Sequence, residues 1–126
     1  MIPARRPLVL VADDDPDILM LVRLRLEREG FEVVGAFDGQ TALDLALERA
    51  PDVAVLDVTM PRLDGYGVTR RLRGHDGTRA TAVILLTARV QETDLQEGVA
   101  AGADDYVTKP FSPQELGRRV QAALAR

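Results

Sequence analysis

The segment LVLVADDDP, residues 8–16, joins an apolar run directly to three aspartates and a proline. Apolar runs of this length, rich in β-branched residues, are typical of strands, whereas Asp15 followed by Pro16 is typical of a helix N-cap and first turn. Because the run shows no polar alternation, we expect a strand that is covered on both faces. The segment therefore predicts a strand that leads into a helix, with acidic residues at the junction.

The same alternation continues along the chain. Apolar runs bounded by turn residues predict four more strands, at 31–36, 53–57, 82–87 and 105–108. Helical periods predict helices from Pro16 towards Gly30, at about 40–49, from about 65 towards Gly74, at about 91–101 and at about 113–125. Such alternation with right-handed crossovers predicts a doubly wound α/β fold, with a five-stranded parallel sheet and helices on both faces.

Apolar residues at helical spacing support three of these helices. They are Ile18, Leu19, Leu21, Val22 and Leu26 in the first helix, Ala42, Leu43, Ala46 and Leu47, which are expected to face inward, in the second, and Leu116, Val120, Ala123 and Leu124 in the fifth.

The composition fits one globular domain. The chain has 126 residues, of which 46% are hydrophobic and 29% charged, so we expect a single domain over residues 1–126. A net charge of −4 and an aromatic content of 4% are unlike those of an autonomous nucleic-acid binder, and we expect no direct nucleic-acid binding. No apolar run suits a membrane span or a secretory signal, so we expect a cytoplasmic protein without membrane contact.

The residue types exclude several kinds of site. With no cysteine and a single histidine, His75, the chain offers no disulfide, thiol nucleophile or histidine-based metal cluster, so any metal must be bound by oxygen. Lys109 is the one lysine among sixteen basic residues. In a chain that otherwise uses arginine, its position after the last strand calls for an explanation.

Polar residues stand at the ends of the predicted strands. Asp13 and Asp14 follow the first strand, Asp57 ends the third, Thr87 ends the fourth, and Lys109 follows the fifth. Taken singly, each has an ordinary structural explanation, but the carboxyl ends of parallel strands meet at one edge of the sheet. Clustered carboxylates repel one another unless a cation neutralises them, which indicates Mg²⁺. Lys109 adds a second positive charge, suited to an incoming phosphoryl group.

Four stretches together resemble the receiver domain of two-component response regulators, in that family's order and spacing. They are VLVADDDP (9–16), VLDVTMPRLDGYG (55–67), LLTAR (85–89) and AGADDYVTKPF (101–111), and the resemblance covers essentially the whole chain. It implies a flavodoxin-like sheet with strand order 2-1-3-4-5. It also implies a phosphorylation-dependent signalling switch that is not an enzyme, apart from catalysing its own phosphoryl transfer and autodephosphorylation.

The resemblance also implies roles for individual residues and partners. Asp57 is the phosphoryl acceptor, Asp13 and Asp14 with Asp57 and the backbone carbonyl of Thr59 hold Mg²⁺, Thr87 is the hydroxyl switch, Tyr106 is the aromatic switch, and Lys109 is the phosphoryl clamp. Asp15 falls outside the acidic pair, and the Lys109-Pro110 bond is expected to be cis. The phosphodonor is a sensor histidine kinase or phosphotransfer protein, and the switch controls a downstream target or output domain.

The tail FSPQELGRRVQAALAR resembles receivers of winged-helix transcription factors, whose active dimers pair through the fourth helix, fifth strand and fifth helix. Asp105, Glu115 and Arg119 supply expected charges, but Leu95 stands where the family has a basic partner for Glu115. We therefore expect a monomer that dimerises weakly when phosphorylated. At helical spacing with Val99, Leu95 is expected to pack against the sheet, and the alternative is an apolar contact with a different partner.

Three other functions are compatible with part of the pattern. A flavin mononucleotide binder would need a phosphate loop where three aspartates stand, and a phosphatase of the haloacid dehalogenase type would need a second aspartate at Thr59. The third, a receiver-shaped interaction module that works without phosphorylation, stays open, although the intact acidic pair, acceptor, threonine and lysine argue against it. Whether the domain is free-standing or part of a longer regulator also stays open.

Overall fold

The computed structural model describes residues 6–88 and 92–125, without the side chains of residues 92–95. The elements alternate along the chain as β1 (Leu8–Ala12), α1 (Pro16–Arg28), β2 (Glu32–Ala36), α2 (Gly39–Arg49), β3 (Val53–Asp57), α3 (Gly65–Arg73), β4 (Ala82–Thr87), α4 (Glu92–Ala101), β5 (Asp105–Thr108) and α5 (Pro113–Leu124). Each predicted element is present, and the bounds agree to within two residues. Within the part of the chain that is described, no helix is long and apolar enough to span a membrane.

The strands form one sheet in the order β2-β1-β3-β4-β5, and all neighbouring pairs are parallel. This confirms the predicted doubly wound fold and strand order. Because the strands run in one direction, their carboxyl ends lie at the same edge. There β3 pairs Asp57 with Leu86, and β4 pairs Thr87 with Thr108.

The core has two layers, one on each face of the sheet. Helices α1 and α5 cover one face, where Val9 and Val11 of β1 pack with Val22 and Leu116. The other face is covered by α2 and α3 and includes Leu10 and Ala12 of the same strand. Because β1 buries both sets of alternate side chains, its sequence is continuously apolar.

The helix starts follow the chemistry of their cap residues. Oδ1 of Asp15 accepts a hydrogen bond from Asp17 N at 2.9 Å, and Pro16 occupies the first turn, as the sequence predicts. Side-chain oxygens of Asp38, Asp64 and Ser112 cap α2, α3 and α5 in the same way. The first turns of α2 and α3 both contact the loop that follows β3, where Gly39 N donates to Pro61 O and Gly65 N donates to Val58 O.

Three apolar residues that lie at helical spacing in the sequence are exposed to solvent. Leu21 is 57%, Leu47 41% and Val99 68% exposed. Successive helical residues differ in direction by about 100°, so a residue beside a buried position can point to solvent. Among the described side chains of α4, Gly98 and Ala101 are buried, and the approach of Gly98 to Leu85 and Tyr66 turns Val99 outward. The prediction that Leu47 faces inward is therefore wrong, and the side chain of Leu95, whose packing was predicted from its spacing with Val99, lies outside the described residues.

Candidate functional site

Three carboxylates meet at the carboxyl end of the sheet. Asp13 and Asp14 directly follow β1, Asp57 ends the adjacent strand β3, and one ligand oxygen of each lies within 4.8 Å of those of the others. Asp13 is fully buried and Asp57 is 5% exposed, whereas Asp14 is exposed to solvent. The cluster is therefore a crevice that opens on the side of Asp14.

The two oxygens of the Asp13 carboxylate are held differently. Oδ1 accepts a hydrogen bond from the N–H of Asp15 at 2.9 Å. The buried Oδ2 accepts no hydrogen bond from the described residues but forms an ion pair with Lys109 Nζ at 3.0 Å. A buried carboxylate oxygen with unused acceptor capacity is costly unless a donor or a cation satisfies it.

Lys109 joins the acidic residues across the crevice. Its Nζ lies 3.0 Å from Asp13 Oδ2 and 3.2 Å from Asp57 Oδ2, and its backbone N–H donates to Thr87 O at 2.7 Å. Burial opposes the charge on Lys109, but its contacts with the two aspartates outweigh burial and raise its pKa above the usual value. The Lys109-Pro110 peptide bond is cis, as expected.

Asp57 is electrostatically the most perturbed group of the site. Burial, and then repulsion from Asp13, raise the pKa of Asp57 from 3.8 to about 6, against the opposing effects of Lys109 and of the Thr59 N–H. That N–H donates to Asp57 Oδ1 at 3.4 Å. Because one lysine cannot neutralise three carboxylates, the cluster retains an excess of negative charge.

Two glycines fix the loop that carries Thr59, residues 58–64. The N–H of Gly65 donates to Val58 O at 2.9 Å, and a Cβ at Gly65 would lie 2.6 Å from Asp57 O. Gly39, at the start of α2, donates to Pro61 O at 3.3 Å, and a Cβ there would overlap the carbonyl oxygen of Leu63. The sequence does not reveal the role of Gly39, because nothing local indicates that this glycine contacts a loop more than twenty residues away.

The two predicted switch residues lie on one face of the sheet. Thr87 is 7% exposed at the end of β4, and Leu85, two residues earlier on that strand, is paired in register with Tyr106. Tyr106 is half-buried and packs against the core layer that contains Leu85. The structure thus brings Asp13, Asp14, Asp57 and Lys109 into direct proximity and places Thr87 at the end of the strand between β3 and β5. Tyr106 lies further along β5, before Lys109.

The donor set fits a hard divalent cation such as Mg²⁺. The ligands on offer are the oxygens of three carboxylates, which Mg²⁺ prefers, and Asp13 Oδ2 is buried without a hydrogen bond. Exposed Asp14 leaves the site accessible from solvent, which suits an ion that keeps part of its water shell.

An apolar cavity borders the crevice on the side of α1. It has a volume of about 330 Å³ and includes Lys109 in its lining. Its other lining residues are Ile18, Leu21, Val22, Pro110, Phe111 and Pro113. Apolar surface beside a reactive group is typical of a site where another molecule docks.

Comparison with known proteins places this geometry in context. Residues 9–121 match the family model described as the response regulator receiver domain. The alkaline phosphatase synthesis transcriptional regulatory protein PhoP of Bacillus subtilis is 45% identical over 118 residues, which cover 94% of this chain and 48% of that protein. The chain thus spans about half the length of the curated relatives that it matches.

Solved structures show the same fold. The chemotaxis protein CheY4 of Vibrio cholerae superposes with a TM-score of 0.91 at 33% identity, covering 95% of this chain and all of that one. The receiver domain of the sensor histidine kinase PA1611 of Pseudomonas aeruginosa, described with a magnesium ion in its active-site cleft, has a TM-score of 0.88 at 30% identity. That match covers 97% of this chain and 100% of the other.

Proposed function

The chain belongs to the response regulator receiver family, and from this membership we propose that Asp57 accepts a phosphoryl group from the phosphohistidine of a sensor histidine kinase or phosphotransfer protein. The observation that carries the proposal is the contact of Lys109 Nζ with Asp57 Oδ2 at 3.2 Å, beside the buried carboxylate of Asp13. An acceptor carboxylate needs such positive charge, because the incoming phosphoryl group brings further negative charge to a crevice that is already acidic.

In the proposed transfer, a carboxylate oxygen of Asp57 attacks the phosphorus while the bond between phosphorus and the donor imidazole nitrogen breaks. The imidazole leaves with that electron pair, and no redox step is involved. Strand β3 and the Thr59 N–H hold the carboxylate of Asp57. Lys109 Nζ neutralises part of the negative charge on the phosphoryl oxygens. The protein therefore contributes positioning and charge neutralisation to its own phosphorylation and dephosphorylation.

We propose that Asp13, Asp14, Asp57 and the Thr59 carbonyl hold Mg²⁺. When bound, the ion supplies positive charge that offsets the carboxylates and the phosphoryl oxygens. The Asp15 N–H keeps Asp13 in place at 2.9 Å, and the glycines at 39 and 65 keep the loop of Thr59 against β3. The magnesium ion described in the active-site cleft of the PA1611 receiver supports this assignment.

We further propose that the Thr87 hydroxyl donates a hydrogen bond to the phosphoryl group and that Tyr106 turns into the space vacated on the same face of the sheet. The register of β4 and β5, which pairs Leu85 with Tyr106, supports this coupling. The result is a repacked surface of α4, β5 and α5 that controls a downstream target or output domain. A transcriptional output is supported by the similarity of this chain to the transcriptional regulatory protein PhoP of Bacillus subtilis.

The cavity beside Lys109 supports a docking place for the phosphodonor. A donor histidine must come within bonding distance of Asp57, so the kinase domain must also cover the rim of the crevice. The lining of that cavity includes both Leu21, 57% exposed, and Lys109, which contacts Asp57. Burial of this apolar surface would stabilise the encounter.

In the cell, we propose that residues 1–126 act as a single domain in the cytoplasm, without direct contact to nucleic acid or membrane. We propose a monomer that dimerises weakly after phosphorylation. A module that works without phosphorylation is the alternative, and the following experiment separates the two.

The test is incubation with acetyl phosphate and Mg²⁺, followed by intact-mass measurement and mapping of the phosphorylated peptide. We expect one phosphoryl group on the parent and on Asp15→Asn, because Asp15 caps α1 and lies outside the cluster. Asp57→Asn should take up none. Full labelling of Asp57→Asn would refute the acceptor assignment, and an unlabelled parent would favour the phosphorylation-independent module.

A further inference from the structure

The guanidinium of Arg73, the last residue of α3, connects three separate segments. Its Nε donates to Gly102 O at 2.9 Å, and its Nη1 donates to Arg79 O at 2.9 Å and Thr81 O at 2.6 Å. Its Nη2 donates to Asp104 Oδ2 at 2.9 Å in an ion pair. One side chain thus joins the end of α3, the approach to β4 and the turn between α4 and β5.

Asp104 extends this connection into the sheet. Its Oδ2 also accepts a hydrogen bond from Val83 N at 2.8 Å, and its own N–H donates to Val83 O at 2.9 Å. The side chains of Arg73 and Asp104 are 23% and 34% exposed, so the ion pair is partly shielded from water. Hydrogen bonds between charged groups are stronger than neutral ones when they are shielded in this way.

The turn that ends α4 packs against the side chain of Arg73. Gly102 has φ +102°, and its N–H donates to Gly98 O and Val99 O, which ends the helix in a left-handed turn. A Cβ at Gly102 would lie 2.8 Å from Arg73 Cγ, so the stem of Arg73 packs directly on the turn. By contrast, the pair between Arg70 of α3 and Glu97 of α4 is half exposed, at 3.4 Å.

We propose that Arg73 is a positioning residue that anchors the carboxyl end of α4 and the start of β5. When the surface of α4, β5 and α5 repacks, this point stays fixed and α4 pivots about it. The inference rests on the proposed function. The anchor lies at the amino-terminal ends of β4 and β5, whereas Thr87 and Lys109 lie at the opposite ends. A helix held at one end converts a change at the other into a displacement of the whole helix. Without the anchor, the same change is absorbed by local unfolding.

The test compares Arg73→Gln with Arg70→Gln, which removes the exposed pair on the same helix. In the unphosphorylated protein, we expect amide hydrogen exchange at Gly102, Ala103 and Asp104 to accelerate by about tenfold or more in Arg73→Gln, because hydrogen bonds between charged groups are lost. Arg70→Gln should exchange at about the parental rate.

A second measurement concerns transmission. In the presence of Mg²⁺, the phosphoryl mimic beryllofluoride should bind at Asp57 of both variants. Acetyl phosphate should label both variants at about the parental rate. We expect Arg73→Gln to lose most of the beryllofluoride-induced change in the amide resonances of β5 and α5, and Arg70→Gln to keep it. This split is not expected of a residue that merely adds global stability.

Parental exchange at residues 102–104 in Arg73→Gln, or an unchanged response of β5 and α5, would overturn the proposal. Should Arg73→Gln fail to fold, Asp104→Asn replaces it, because Asn retains an acceptor for Val83 N and removes the ion pair. An unlabelled parent would refute the proposed function alone, since the exchange measurement does not require phosphorylation.

Discussion

Lys109 Nζ lies 3.2 Å from Asp57 Oδ2, although Lys109 follows β5 and Asp57 ends β3, two strands that are separated by β4. The lysine therefore reaches across the end of β4, where Thr87 stands, and also contacts Asp13 at 3.0 Å. A compact ammonium can sit between two carboxylates in this way, whereas a planar guanidinium favours side-by-side pairing with one. This explains a lysine in a chain whose other basic side chains are arginines.

We expect Mg²⁺ affinity to fall as the pH is lowered through about 6. Protons and the metal compete for Asp57, whose pKa is raised from 3.8 to about 6 in the metal-free protein. Below that value each pH unit should weaken binding by up to about tenfold, as measured by calorimetry between about pH 8 and about pH 5. Asp57→Asn should bind more weakly and with a flatter pH dependence. An equally flat profile in the parent would show that Asp57 is not a ligand.

Asp14→Ala should stabilise the metal-free protein and remove most of the stabilisation by Mg²⁺. Asp14 is an exposed member of a repelling cluster, so its loss should raise the free energy of unfolding by up to about 1 kcal/mol.

Asp13→Ala, by contrast, should destabilise the protein with or without Mg²⁺, since it leaves the Asp15 N–H without its acceptor and removes an ion pair from Lys109. Thermal melts check both. Equal shifts for Asp14→Ala with and without Mg²⁺ would contradict its role as a ligand.

Thr87→Ala should separate phosphorylation from switching. The hydroxyl takes no part in the attack on phosphorus, so we expect labelling by acetyl phosphate within about threefold of the parental rate. The beryllofluoride-induced change in the environment of Tyr106, followed by NMR, should be largely lost. Thr87→Ser retains the hydroxyl and should keep the response. A full Tyr106 response in Thr87→Ala would rule out the proposed coupling.

Gly39→Ala should impair the site from a distance. A Cβ at Gly39 would overlap Leu63 O, so the loop that carries Thr59 must move. We expect Mg²⁺ affinity to fall by about tenfold or more and the free energy of unfolding by about 2 kcal/mol. Gly74→Ala is the matched control, since the nearest atom to a Cβ there lies 3.6 Å away, and its effects should stay within about 0.5 kcal/mol. Similar Mg²⁺ affinities for the two variants would show that the contact does not position the loop.

Dimerisation should be weak even after phosphorylation. Arg119 Nη1 already pairs with Asp105 Oδ1 at 3.0 Å, and Arg119 Nη2 lies 3.5 Å from Glu115 Oε1, within one chain. Pairs between subunits would replace these contacts and add little, because an exposed pair contributes about 1 kcal/mol at most. Sedimentation with and without beryllofluoride measures the equilibrium. A tight dimer of the unmodified protein at micromolar concentration would contradict the expectation.

The sequence by itself determined the order of strands and helices, the edge of the sheet where the acidic residues gather and the cap at Asp15. These features depend on information that is local in the chain: apolar periodicity, turn residues and cap chemistry. Because parallel strands share a direction, the placement of Asp13, Asp57, Thr87 and Lys109 at the carboxyl ends of four strands was enough to predict one crevice. The family resemblance added the order of the strands within the sheet and the roles of the individual residues.

The tertiary structure decided the contacts that join distant segments. It separated buried Asp13 from exposed Asp14, seated Gly39 on the loop of Thr59 and gave Arg73 its partners around the turn at Gly102. It also turned Val99 to solvent. Such features depend on how far each helix is rotated about its axis and how closely two neighbouring loops approach each other. A pattern of apolar residues indicates only approximately which side of a helix is buried. A single residue of rotation, about 100°, decides whether a side chain meets the core, a loop or water.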